Sequence, residues 1–186
     1  MEHETRNSKL ETDELIRRAK RVKLLLMDCD GVMTDARLWL TPDGDEEKAF
    51  HARDGQGISV WHRAGWQSGI ISGRASSAVE RRAHELKMKY VHQYAKNKIV
   101  AFEEIISDAK VSEDECCYIG DDLGDIGLMR RVGLAVAVAD AAQDTKDAAH
   151  YVTTLDGGKG AVREVIELIL KAQGLWDELV AQVTTH

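Results

Sequence analysis

The chain has 186 residues, a length that suits one domain with a substantial core. Its 44% hydrophobic content agrees with a folded globule, and its 5% aromatic content offers no sign of a surface for stacking bases. With 32 acidic against 25 basic side chains, the net charge of -7 makes the chain as a whole a poor binder of polyanions, so nucleic acid is not an expected partner.

Residues 1–20 read as a polar extension ending in a short helix, capped by Asp13 and carrying Leu15 and Ile16. This stretch has no apolar leader core, and no run approaches the roughly 18 apolar residues of a membrane span. Cys29, Cys116 and Cys117 form neither an even-numbered framework nor a CxxC pair, so they read as free thiols in a reducing compartment. The expectation is a soluble, cytoplasmic protein with no membrane partner.

Residues 22–27 ("VKLLLM") suit a buried strand, and residues 37–50, with Pro42, Asp43 and Gly44 at the centre, carry a hairpin signal. A helix is expected over 58–64, a strand in "WQSGIIS", and an amphipathic helix over 76–86 with Val79, Ala83 and Leu86 as its stripe. A short strand at 89–92 and a helix over 97–109 follow. "CCYIGDD" reads as a strand ending in acids, with a helical stretch through Met129 after it. "LAVAVA" at 134–139 suits a strand covered on both faces, "YVTTL" an edge strand, and 161–172 a final helix before Gly174 and a tail over 175–186. Strands alternating with helices imply an α/β fold, a Rossmann-like open parallel sheet with flanking helices and ligands at the carboxyl ends of the strands.

The polar residues at those ends are the candidate site. Asp28 and Asp30 are close enough to share one hard cation, and Asp121 from another strand end completes an oxygen-rich set that suits Mg2+. A phosphate monoester bound there permits in-line attack by Asp28, with Asp30 as acid and then base. Ser72 offers a hydroxyl and Lys98 an ammonium for the phosphoryl oxygens. Asp122 and Asp125 fit either metal-bound waters or the start of the next helix. An acidic loop rim is the competing reading for the aspartates. "DGDEE" lacks the spacing of a calcium loop, nothing matches GxxxxGK, and His51, His62 and His84 lack metal-site spacing.

Taken in order, "DCDGVMTD", "ISG", Lys98 and "GDDLGD" resemble the four motifs of the haloacid dehalogenase superfamily of phosphotransferases. "ARDGQGI", "ISGRASSAVERRAHEL", "VGLAVAVADA" and "YVTTLDGGKGAVREVIELILKAQG" bring the resemblance closer, to the 3-deoxy-D-manno-octulosonate 8-phosphate phosphatase family, over about residues 22–174. That resemblance implies a single capless catalytic unit over 21–174, with a small β-hairpin at about 36–50 in place of a cap domain. It also implies a homotetramer joined through the hairpins, which the apolar Leu38, Trp39 and Leu40 suit. Asp28 is then the nucleophile and Asp30 the acid/base. Asp28, Asp121 and the Asp30 carbonyl are the Mg2+ ligands, and Asp122 and Asp125 lie behind them. Ser72, Gly73 and Lys98 bind phosphate, and Arg74 and Arg82 the sugar acid.

The implied reaction releases the free sugar acid for bacterial lipopolysaccharide. A phosphatase for a nine-carbon, sialic-acid-like 9-phosphate and a non-catalytic sugar-phosphate-binding subunit are the alternatives. Two departures stand out: Ser72 where threonine is usual, and Tyr94 where glycine is common, the latter placed to narrow or rotate the loop before Lys98. Gly157, Gly158 and Gly160 are expected to keep the last segment adaptable near the pocket.

Overall fold

The computed structural model describes residues 12–42 and 45–184. Residues 1–11 of the expected extension, and Asp43 and Gly44 of the expected hairpin turn, lie outside the described residues. Six parallel strands form the main sheet: β1 (Leu24–Met27), β4 (Gln67–Ile71), β5 (Tyr90–His92), β6 (Cys116–Gly120), β7 (Leu134–Ala137) and β8 (Tyr151–Val152). Their order is β5-β4-β1-β6-β7-β8, which leaves β8 at an edge as its polar composition implies. A separate antiparallel pair, β2 (Trp39–Leu40) and β3 (Glu46–Glu47), is the small hairpin. Every residue of β1, β6 and β7 is buried, as strands sandwiched between helices require.

Register places the polar strand ends together. Met27 stands beside Ile70 of β4 and Ile119 of β6, so the residues just beyond, Asp28, Ser72 and Asp121, emerge from one edge of the sheet. From β1 the chain runs outward through β4 and β5, then returns to β6 on the other side of β1. Strand order therefore reverses between β1 and β6, where open α/β sheets form a crevice.

Helices flank the sheet: α1 (12–19), α2 (Ala52–Arg63), α3 (Ser77–Glu85), α4 (Lys98–Ala109), α5 (Ile126–Met129), α6 (Gln143–Asp147), α7 (Ala161–Ala172) and α8 (Trp176–Thr184). Helix α2 begins six residues before the expected 58, because tertiary packing overrides two glycines that each cost about 1 kcal/mol of helix propensity. At Gly57 a Cβ would come within 3.0 Å of Arg163 Cδ and 3.2 Å of its Cα, so the glycine is what lets α2 lie this close to α7. Trp61 is fully buried, and its indole N–H donates to the Gln67 carbonyl at 2.8 Å.

Val162, Val165, Ile166, Ile169 and Leu170 form the apolar stripe of α7 at helical spacing. Each fully buried side chain of this kind is worth about 1.5–3 kcal/mol.

Several boundaries differ from expectation. Helix α1 already includes residue 12, so Asp13 lies inside its first described turn instead of preceding it. The helical stretch through Met129 is a 3-10 turn, Leu123–Asp125, running into the short α5. Helix α6 escaped the sequence reading because "QDTKD" is five residues long and carries no apolar stripe. After Gly174 the expected tail carries α8, whose Leu179 is buried and whose Trp176 ring lies 4.9 Å from the Arg163 guanidinium carbon. The three cysteines are free and buried. No helix among the described residues is long and apolar enough to cross a membrane.

Candidate active site

Asp28 follows β1 directly, and its amide donates to the Ile119 carbonyl at 3.0 Å, which extends the sheet ladder by one bond. Its carboxylate accepts from Lys98 Nζ at 2.6 Å. Lys98 is the first residue of α4, a helix capped by Asn97, whose side chain accepts from the Ile99 amide at 3.1 Å. The same ammonium donates to Asp125 Oδ1 at 2.7 Å and to the Tyr118 hydroxyl at 3.2 Å. Burial opposes the charge on Lys98, but Asp28 and Asp125 outweigh it and hold its pKa above the ordinary lysine value.

Asp125 is the hub of the fourth-motif turn. Its Oδ1 also accepts from Tyr118 Oη at 2.7 Å, and its Oδ2 accepts from the amides of Asp121 at 2.9 Å and Asp122 at 3.3 Å. Asp122 is exposed and caps the 3-10 turn by accepting from the Leu123 amide at 2.8 Å. The buried phenol of Tyr118 was missed as a site residue, because within "CCYIG" it reads as one more apolar strand position.

The donor set fits a hard divalent cation. Asp28, Asp121 and Asp125 each offer a carboxylate oxygen, all within 4.8 Å of one another. Burial, reinforced by the neighbouring Asp28 and Asp125, pushes the Asp121 carboxyl up to about 8. Burial also raises Asp28 to about 6, against the pull of Lys98. Lys98 is committed to Asp28 and Asp125, and among the described residues no lysine or arginine pairs with Asp121. An all-oxygen set with uncompensated negative charge suits magnesium.

Ser72 directly follows β4, is buried, and donates its amide to the His92 carbonyl at 2.9 Å while its hydroxyl accepts from the Arg74 amide at 3.3 Å. An open cavity of about 320 Å³ brings Asp28, Asp30, Ser72, Arg74, Lys98 and Asp121 together, with Gly73 also on its lining and Leu38 from the hairpin segment. Arg82 is not among them. It lines a separate groove of about 650 Å³ between α2 and α3 and pairs with Glu85 at 3.0 Å, so within one chain it does not reach the aspartates.

The hairpin supplies two side chains that the sequence reading passed over. Lys48 Nζ, with a side chain only 1% exposed, lies 2.5 Å from Asp30 Oδ1 and 2.8 Å from Glu46 Oε2. Burial works against this ammonium, yet its hydrogen bonds to Asp30 and Glu46 keep its pKa above the ordinary value. Glu46 in turn pairs with Arg74, whose Nε is 3.9 Å from Asp30 Oδ2. The only signal was a charged run, "DGDEEK", that resembles any solvated turn.

Tyr94 does not narrow the site. Its φ of 57° is the left-handed backbone that glycine adopts freely, and the residue is 76% exposed. The loop keeps a glycine-like path, and Lys98 still reaches Asp28.

Gly157 and Gly158 are not an adaptable segment either. Gly158 N donates to Val32 O at 3.0 Å, and a Cβ on Gly157 would collide with the Gly31 carbonyl, so this turn is packed backbone to backbone against the loop carrying Asp30.

Comparison with known proteins agrees with this geometry. The family model described as haloacid dehalogenase-like hydrolase matches residues 90–166. The 3-deoxy-D-manno-octulosonate 8-phosphate phosphatase of Yersinia pestis is 44% identical over 161 residues, covering 87% of this chain and 86% of its own. The crystal structure of the Moraxella catarrhalis phosphatase of that name, in complex with magnesium ion, phosphate ion and a KDO molecule, is 38% identical. It superposes with a TM-score of 0.89 over 92% of this chain and 98% of its own. The cobalt-bound phosphatase from Haemophilus influenzae, at 35% identity and a TM-score of 0.85, covers 91% of this chain and 99% of its own. With the motif residues gathered at one sheet edge and this likeness along most of its length, the chain belongs to the 3-deoxy-D-manno-octulosonate 8-phosphate phosphatase family of the haloacid dehalogenase superfamily.

Proposed function

We propose that this chain hydrolyses 3-deoxy-D-manno-octulosonate 8-phosphate to the free sugar acid and phosphate, through an aspartyl-phosphate on Asp28. The observation that carries the reading is the buried pairing of Asp28 with Lys98 at 2.6 Å beside Asp121, at the point where strand order reverses. The relatives' identity supplies the substrate class.

In this reading an Asp28 oxygen attacks phosphorus in line, and the bond from phosphorus to the sugar oxygen breaks as Asp30 delivers a proton to that oxygen. Asp30, now a carboxylate, takes a proton from water as the water oxygen attacks phosphorus. The Asp28–phosphorus bond breaks and inorganic phosphate leaves. Lys98, the Ser72 hydroxyl and the Gly73 backbone hold the phosphoryl oxygens, and Arg74 meets the sugar acid. Magnesium, held by the carboxylates of Asp28 and Asp121 with the main-chain carbonyl of Asp30, supplies the positive charge that lets an anionic ester approach an anionic nucleophile. Asp125 and Asp122 act behind these ligands, and Asp125 fixes both Lys98 and the Asp121 amide.

The catalytic unit in this reading is residues 21–174. Four copies join through the hairpins, where Leu38, Trp39 and Leu40 are 47%, 60% and 72% exposed, and Arg82 reaches substrate only if such an assembly brings a second site against its groove. The buried free thiols suit the reducing cytoplasm, where the product feeds lipopolysaccharide synthesis.

The test is phosphate release from eight-carbon and nine-carbon sugar acid phosphates, with magnesium and with chelator. Magnesium-dependent preference for the octulosonate ester is expected. Preference for the nine-carbon ester would keep the chemistry and change the substrate, while no release from either would overturn the reading.

A further inference from the structure

A lysine whose side chain is 1% exposed is unusual, since removing an ammonium from water is costly unless it is paired. Lys48 meets that requirement through two carboxylates, Asp30 Oδ1 at 2.5 Å and Glu46 Oε2 at 2.8 Å. The contact crosses the site, because Lys48 lies just after β3 of the hairpin and Asp30 lies in the loop after β1. The returning hairpin segment is also fixed on its far side: Glu46 holds Arg74, and Ser77 Oγ donates to Asp45 Oδ2 at 2.5 Å at the start of α3.

The two oxygens of Asp30 are treated differently. Oδ1 is anchored by Lys48, whereas Oδ2 is buried, accepts no hydrogen bond from the described residues, and has Arg74 Nε at 3.9 Å. A carboxyl group pinned at one oxygen has little freedom to rotate, and its other oxygen stays in a constant place beside the cavity. Proton transfer in a transition state requires this, because donor and acceptor must meet at hydrogen-bond distance.

We propose that Lys48 is the positioning residue for Asp30: it anchors Oδ1 so that Oδ2 carries the proton exchanged with the departing alcohol and then with water. Glu46 supports it from the other side. The inference rests on the reading of Asp30 as the acid/base and adds a part for the returning segment of the hairpin distinct from any role of its apolar first strand in assembly.

A pair of substrates separates this role from simple anchoring of the hairpin. The sugar 8-phosphate has an alkoxide leaving group that needs a proton, whereas 4-nitrophenyl phosphate releases a stable phenolate that does not. For Lys48→Met, kcat/KM on the sugar phosphate is expected to fall about 10- to 100-fold, within the range that general acid catalysis contributes. On 4-nitrophenyl phosphate kcat/KM, which reports only the steps through release of the phenolate, is expected to change less than about 3-fold, because that departure needs no proton. Asp30→Asn should discriminate in the same direction and more strongly, and Lys48→Arg should restore part of the loss. If Lys48→Met does not fold by thermal melting, Glu46→Gln carries the same test with a smaller expected discrimination. Equal losses on both substrates, with Asp30→Asn still discriminating, would overturn the positioning role and leave the acid/base reading intact. Failure of Asp30→Asn to discriminate would overturn that reading and the inference with it.

Discussion

The two walls of this site are built by different means. On the sheet side, Asp28, Ser72 and Asp121 issue from strands whose neighbours are fully buried, with Lys98 holding Asp28 and Asp125 holding the Asp121 amide. On the hairpin side, Glu46 and Lys48, in and just after a strand of two residues, are joined by ion pairs to Asp30 and Arg74 in the loops after β1 and β4. In the proposed mechanism, attack at phosphorus is thus tied to the core, and handling of the leaving group to an insert with little backbone structure of its own. Substitutions on the sheet side should therefore damage stability and chemistry together, and those on the hairpin side should separate them.

The largest effect is expected at the proposed nucleophile: Asp28→Asn should abolish turnover while substrate binding, followed by calorimetry, persists. Residual turnover near the wild-type rate would move the chemistry elsewhere. Next comes Lys98→Met, which leaves Asp28 and Asp125 facing each other without their shared cation. Breaking a buried pair by removing one partner costs about 3–5 kcal/mol, which denaturant unfolding without metal should register, together with loss of activity.

The pH dependence of the metal-free protein sharpens the contrast further. Asp121 and Asp28 titrate at about 8 and about 6 in the folded chain against an ordinary 3.8, burial being the main cause in both. Below 3.8 both states of the chain carry these protons; between about 4 and about 8 the unfolded chain ionises freely and the folded chain resists, so stability falls as pH rises. Thermal melting in chelator should give a lower Tm at the top of that window than at its foot, Asp121→Asn should flatten the slope, and magnesium should raise Tm most at the alkaline end. A Tm indifferent to both would sever the link between the acid cluster and the cation.

On β2 of the hairpin, Leu40→Glu should dissociate the proposed assembly in light scattering while changing the stability of the separate subunit by less than about 0.5 kcal/mol. The smallest effect belongs to Tyr94→Gly, which relieves a left-handed backbone worth about 1 kcal/mol and should change kcat less than about 2-fold.

Much of the sheet side was legible in the sequence because buried parallel strands are apolar runs and the acids stand immediately after them. Asp28, Ser72 and Asp121 could be named from that pattern, and Lys98 joined them as the ammonium that the phosphoryl oxygens require. The hairpin side was less legible. Nothing in "DGDEEK" distinguishes a lysine buried against Asp30 from one in solvent, since that depends on how the insert folds back across the chain. Tyr118 was hidden for the opposite reason: a buried phenol in a strand looks like core until its hydroxyl partners are seen. Helix α2 was read too short because two glycines argue against a helix locally, while the close approach of α7 requires one of them. Arg82, named from the resemblance, lies in another groove of the same chain.

In the proposed mechanism Asp28 carries the phosphoryl group. Rapid acid quenching during turnover of the octulosonate ester with magnesium, followed by borohydride reduction and peptide mass spectrometry, tests it directly. Conversion of residue 28 to homoserine, absent without substrate, is the expected result. A phosphoryl group trapped on any other residue, or turnover that continues undiminished in Asp28→Asn with nothing trapped, would contradict the account.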